Sequence, residues 1–194
     1  MNVLVFFPEN FSDPAARRFA EAVADGDVRA ALEAAPAAPG GINTVGSNGA
    51  TGLMMAVERR DHAMAQALME AGADPNGAPG HAPLHKAVGT NDAGLLSLLL
   101  RAGADPDALL GSESALHNAA RMGNVEMATL LLEAGATVDK PDEIGGTPIL
   151  AAASTDHWQT VILLLERGAS PWIDLNGITV ADLASDSRIQ PNNP

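Results

Sequence analysis

The 194-residue chain contains no cysteine and no tyrosine, and only 3% of its residues are aromatic. Without cysteine there is no disulfide framework and no thiol chemistry. The shortage of large rings leaves the core to Ala, Leu, Val and Ile, which suits close helix–helix contact better than a sheet sandwich. Positive charge is also scarce: 11 Lys and Arg stand against 24 Asp and Glu, for a net charge of −13, and the only lysines are Lys86 and Lys140. Binding along a phosphate backbone needs clustered cations, so nucleic acid is not an expected partner. No apolar run approaches the roughly 20 residues that span a bilayer. The opening MNVLVFFPENF has no basic residue ahead of its apolar run and makes a poor signal peptide. These absences predict a soluble, cytoplasmic chain that is a monomer on its own and makes no membrane contact. Three catalytic signatures are missing as well: a GxSxG elbow, a phosphate-cradling glycine loop followed by Lys, and CxxC.

What is present is repetition. The stretch Gly145–Pro171 reads GGTPILAAASTDHWQTVILLLERGASP. Pro148 fits the first position of a short apolar helix, with the Thr147 hydroxyl as its cap. Asp156 is expected to cap a second helix, Gln159 completing a box-like pattern, and Gly168 ends it. Two helices this short are not stable alone and need neighbours. The chain supplies them at Ala50–Asn76, His81–Asp107 and Glu113–Asp139, with a half copy at Asn176–Arg188. The anchors Leu53, Leu84, Leu116 and Ile149 each lie 19 residues before the closing glycines Gly72, Gly103, Gly135 and Gly168. From glycine to next anchor the distance is 12, 13 and then 14 residues. The helix pair is therefore a fixed module, and length changes fall in the connection, as in arrays whose units contact only their neighbours.

Ala82-Pro83-Leu84-His85, Ser114-Ala115-Leu116-His117 and Thr147-Pro148-Ile149-Leu150, with Gly72-Ala73-Asp74 and Gly103-Ala104-Asp105, resemble the Thr-Pro-Leu-His and Gly-Ala-Asp motifs of the ankyrin repeat family. Gly52 and Met54 depart from the family's proline and histidine, and the connection before Leu84 is about two residues short. The resemblance implies an all-α solenoid of about five helix-turn-helix repeats plus a half-repeat C-terminal cap, joined by β-hairpin-like loops. The expected organisation is an apolar N-terminal arm over residues 1–12, a diverged capping repeat over 13–45, four repeats over 46–173, a cap over 174–188 and a tail over 189–194. Phe6, Phe7 and Phe11 are expected to pack the arm onto the first helices.

The same resemblance implies a non-enzymatic module that binds another protein on its concave face. Carrying the family's variable positions onto this chain gives Glu58, Arg59, His81, Thr90, Leu110, Glu113, Arg121, Met122, Glu143, Ile144, Ser154, Thr155 and Ile178 as partner-binding candidates. Among these, Leu110, Met122, Ile144 and Ile178 are apolar where a polar residue would suffice for folding, and such groups mark an interface when exposed. For Ile144 and Ile178, packing of the hairpins on one another is the competing expectation. Trp172 reads as either a brace or an anchor. No catalytic residue, cofactor or metal is expected. His85 and His117 match the family's structural histidine, and His62 and His157 are expected to face solvent. The alternative is a metal protein or enzyme built on His81, His85 and Asp residues, but Pro83 between the two histidines places His81 in the loop. A finer reading is an immunity or antitoxin protein that occludes a basic toxin, for example a nuclease. It rests on the acidic charge, on composition of a high-GC bacterial kind, and on analogy with small stand-alone bacterial relatives.

Overall fold

The computed structural model describes residues 8–172 together with Thr179, Val180 and Asp182. It divides into two compact units, Met1–Asp105 and Pro106–Pro194. The first holds α1 (Pro14–Asp25), α2 (Val28–Ala34), α3 (Gly52–Glu58), α4 (His62–Glu70), α5 (Pro83–Gly89) and α6 (Ala93–Arg101). The second holds a two-stranded antiparallel ribbon of β1 (Leu109–Leu110) and β2 (Glu113–Ser114), then α7 (Ala115–Arg121), α8 (Val125–Glu133), α9 (Pro148–Ser154) and α10 (Trp158–Glu166). Short 3₁₀ turns lie at Pro8–Asn10, Ala35–Ala37 and Gly41–Asn43.

In the first unit α3 packs between α1 and α5, and α4 packs between α2 and α6. In the second, α7 lies on α9 and α8 on α10. Each layer thus buries the apolar side of the helix before it. Met55, Met64, Leu68, Leu95, Leu96 and Leu99 fill the first core, and Leu116, Met127, Leu131 and Leu164 the second. The small residues allow the close approach expected from a composition poor in rings: Ala56, Ala65, Ala87, Ala119, Ala128 and Ala152 are fully buried. Phe11 is buried on the first unit. Phe6 and Phe7 lie outside the described residues, as does most of the expected cap and tail.

Two features recur at fixed offsets. The second helices begin on Asp61, Asp92 and Asn124, whose side chains accept the N–H of Met64, Leu95 and Met127 at 3.0, 3.0 and 3.1 Å. One residue earlier, Arg60, Asn91, Gly123 and Asp156 take left-handed φ values of 57°, 54°, 66° and 61°. This corrects the expectation for Asp156. It occupies the left-handed turn, the cap position belongs to His157, and His157 makes no side-chain cap bond. Thr147 also fails to cap α9 through its hydroxyl, and its buried Oγ1 has no partner. In the copy before it, the hydroxyl of Ser114 meets His117 Nδ1 at 2.8 Å, and Leu150 provides no equivalent nitrogen to Thr147.

The connections are stapled by side chains. Asn43 Oδ1 accepts the N–H of Asp74 at 2.8 Å, and Asn76 Oδ1 accepts that of Asp105 at 2.8 Å. In the second unit Asp107 takes the N–H of Thr137 at 2.9 Å and Asp139 that of Ser170 at 3.0 Å. The carboxylates of Asp107 and Asp139 are therefore structural. The connection of 13 residues pairs as β1–β2, with Leu110 opposite Glu113. The connection of 12 before Leu84 closes instead as successive turns, Gly77 N–H to Asp74 O at 3.1 Å and His81 N–H to Ala78 O at 2.9 Å.

Candidate functional site

In the second unit, contacts link four of the candidate residues, and two more adjoin them in sequence. Leu110 faces Glu113 across the ribbon. The Glu113 carboxylate accepts a charge-assisted bond from the Arg121 guanidinium at the end of α7. The Thr155 hydroxyl donates to the Arg121 carbonyl at 3.2 Å. Met122 and Ser154 flank these two residues in sequence, as the C-cap of α7 and the last residue of α9. Leu110 is 43% exposed and Met122 44%. The ends of α7 and α9 thus present a surface with polar groups bound to one another and apolar groups left to solvent. A surface ion pair such as Glu113–Arg121 contributes little to stability, so its value lies in fixing where the charges sit.

Glu143 and Ile144 form the tip of the following turn. Asp142 holds that turn by accepting the N–H groups of Ile144 at 2.9 Å and Gly146 at 2.7 Å. Ile144 is 72% exposed and does not pack against a neighbouring hairpin. Ile178 lies outside the described residues.

The first unit carries a smaller and more polar set. Glu58, the last residue of α3, is ion-paired with Lys86 of α5 at 2.7 Å. Thr90 donates its hydroxyl to the Lys86 carbonyl at 2.9 Å. Arg59 is exposed beside them. His81 is half-buried, its ring lying over Gly49, where a Cβ would come within 2.0 Å of it. Lys86 was not among the candidates. Its signal in the sequence was its rarity, as one of two lysines.

The other four histidines are held by the fold. His117 Nε2 lies 3.1 Å from the Gly146 carbonyl, which can only accept. The proton is therefore on Nε2, and Nδ1 accepts from Ser114 N–H and Oγ. His85 is buried in α5. His62, read as solvent-facing, is half-exposed but committed: its Nε2 donates to Asp92 Oδ2 at 3.0 Å, beside Arg60 Nε at 2.9 Å. His157 is half-buried over Gly123. Burial of Asp92 opposes its ionisation, but bonds from His62, the Leu95 N–H and Arg60 outweigh it and hold the carboxyl at about 2. In the half copy Asp182 replaces the motif histidine. It accepts the N–H and hydroxyl of Thr179 at 2.8 and 2.7 Å, which holds its carboxyl below the usual range. Among the described residues no three His, Cys, Asp or Glu side chains are grouped to hold a metal ion, and no helix is long and apolar enough to cross a membrane.

A family model for ankyrin repeats (3 copies) matches residues 19–109 and 90–174. The chain belongs to the ankyrin repeat family, with an all-α fold relieved by one small ribbon. Curated relatives share segments of it. A potassium channel AKT1 of Oryza sativa subsp. indica is 46% identical over 57 residues, covering 29% of this chain and 6% of that protein. A probable E3 ubiquitin-protein ligase XBOS33 of Oryza sativa subsp. japonica is 42% identical over 55 residues, covering 28% and 11%. The transient receptor potential cation channel subfamily A member 1 of Homo sapiens is 37% identical over 57 residues, covering 29% and 5%. The matched segments span about a tenth or less of these relatives, so the likeness is to their repeats. Ankyrin repeats are generally protein–protein interaction modules, and the family is generally non-enzymatic.

Proposed function

We infer that this chain recruits a protein partner through the ends of its first helices and the turns that precede them, and that it acts by occlusion or scaffolding without catalysis. The observation that carries this reading is the exposure of Leu110, Met122 and Ile144, at positions where the repeat core needs no apolar group. The linked side chains Glu113, Arg121 and Thr155 supply fixed polar contacts beside them. Glu58, Arg59, His81 and Thr90 are the corresponding contact set of the first unit. The net charge of −13 favours a basic partner by speeding encounter. A dedicated immunity or antitoxin role against a basic toxin is the finer form of this reading, and the charge is its support. The test is affinity capture from the native lysate with wild type, Met122→Glu and Ile144→Glu, each checked for folding by circular dichroism. One protein held by wild type and lost from both folded variants is expected. Retention of that protein by both variants would overturn the assignment of this surface.

A further inference from the structure

Among the described residues, the second helices carry another exposed apolar feature. On α10, Trp158, Ile162 and Leu165 fall at i, i+4 and i+7 and form one stripe about 10 Å long on the helix. Ile162 is 55% exposed and Leu165 40%. The repeat provides its own control. Six residues before the closing glycine the other copies have Gln66, Ser97 and Thr129, and the fourth has Ile162. Where it has Trp158 the others have His62, Ala93 and Val125. The position of Leu165 is apolar in every copy, as Met69, Leu100 and Leu132. The fold therefore accepts polar or small groups at two of the three stripe positions, and burial in the core does not explain why isoleucine and tryptophan stand there.

The exposed charges on α8, α10 and their caps are predominantly acidic. Glu126 and Glu133 of α8, which packs on α10, are exposed, as are Asp156 and Glu166. Arg167 is the one exposed base on α8, α10 and the residues capping them. At its N-terminal end the stripe meets a cleft of about 300 Å³ lined by Gly123, Asp156, His157 and Trp158. We propose that the outer stripe Trp158–Ile162–Leu165 is a second docking surface, and that it takes a basic amphipathic helix of a partner protein. Apolar side chains of that helix cover Ile162 and Leu165, and its Lys or Arg residues face the carboxylates. A second copy of this chain would bring the same acidic surface against itself, and an anionic bilayer would be repelled. The cleft adjoins the ends of α7 and α9 through Gly123 and Asp156, whereas Ile162 and Leu165 lie further along α10, so variants at Ile162 and at Met122 test the two surfaces separately.

The probe is an amphipathic Leu/Lys peptide of about 18 residues, with a Leu/Glu peptide of the same pattern as control. Trp172→Phe leaves Trp158 as the reporter. The expected result is a blue shift of Trp158 emission with the Leu/Lys peptide alone, weakening as salt rises. Ile162→Gln, which installs the residue found at position 66, should weaken binding at least about tenfold with its circular dichroism unchanged. Met122→Gln should leave it unchanged. Equal binding by the Ile162→Gln chain, or equal binding of the Leu/Glu peptide, would overturn the proposal. So would a dimer of the free chain in sedimentation that Ile162→Gln dissolves, because a second copy would then be the occupant.

Discussion

The ring of Phe19 fills the space that a side chain at position 52 would need: a Cβ on Gly52 would lie 2.5 Å from Phe19 Cζ. Position 52 is where Pro83 and Pro148 begin the first helices of later copies. Proline is favoured there by its fixed φ, yet here the preceding diverged repeat inserts a buried phenylalanine from α1. Gly52→Pro should destabilise the chain by roughly 2 kcal/mol or more, through displacement of a fully buried ring. Phe19→Ala alone should cost about 3–5 kcal/mol. The double variant should lose less than the sum of the two, because the clash disappears with the ring. Urea denaturation of the four proteins measures the coupling, and strict additivity would contradict the packing described.

Asp92 links acid stability to the cap of α6. Its carboxyl stands at about 2, against an ordinary value of 3.8. A carboxyl held low in the folded state contributes stability above its unfolded value and loses it as pH falls toward the folded one. The contribution is therefore complete above about pH 5 and declines from there down to about pH 2, by about 2 kcal/mol in total. Asp92→Asn keeps an oxygen for the Leu95 N–H but cannot ionise. Its stability should fall less steeply than that of wild type between pH 5 and 2, as read from urea midpoints across that range.

Ala82 precedes α5 in extended conformation and gives the helix no side-chain cap bond. Its counterpart Ser114 bonds His117. Ala82→Ser should raise stability by about 1 kcal/mol, the usual value of an N-cap hydroxyl. A matched loss of about 1 kcal/mol is expected for Ser114→Ala. Thermal melts of the two variants check both signs.

Leu131 and Leu164 close the second core and are fully buried. Either one replaced by alanine should cost about 2–5 kcal/mol. A loss below about 0.5 kcal/mol, the range of surface changes, would contradict their placement.

The candidate patch was only partly readable from the chain. The family positions named Glu113, Arg121 and Thr155, but not that a carboxylate, a guanidinium and a hydroxyl would connect them across three elements. Exposure of Ile144 depends on Asp142 closing the turn beneath it. Asp156 was misread because Asp suits both a helix cap and a left-handed turn, and the local sequence does not separate the two. The offsets do: the cap lies 11 residues before the closing glycine in the first three copies, and at that distance in the fourth stands His157.

The sequence by itself determined the repeat, its helix pairs and the glycines that end them. Those features depend on periodicity, caps and backbone conformation, all of which act within a few residues. Gly72, Gly103, Gly135 and Gly168 all take φ near +90°, which only glycine adopts without strain. Tertiary structure alone decided which polar groups are spent inside each unit and which apolar groups are left over. Asp92, Asp107 and Asp139 bond atoms about 30 residues away. Ile162 stands in an apolar helical run yet faces out. The physical reason is that burial and hydrogen-bond partners at such positions come from the neighbouring repeat, and a helix pair does not carry its neighbour's surface in its own sequence.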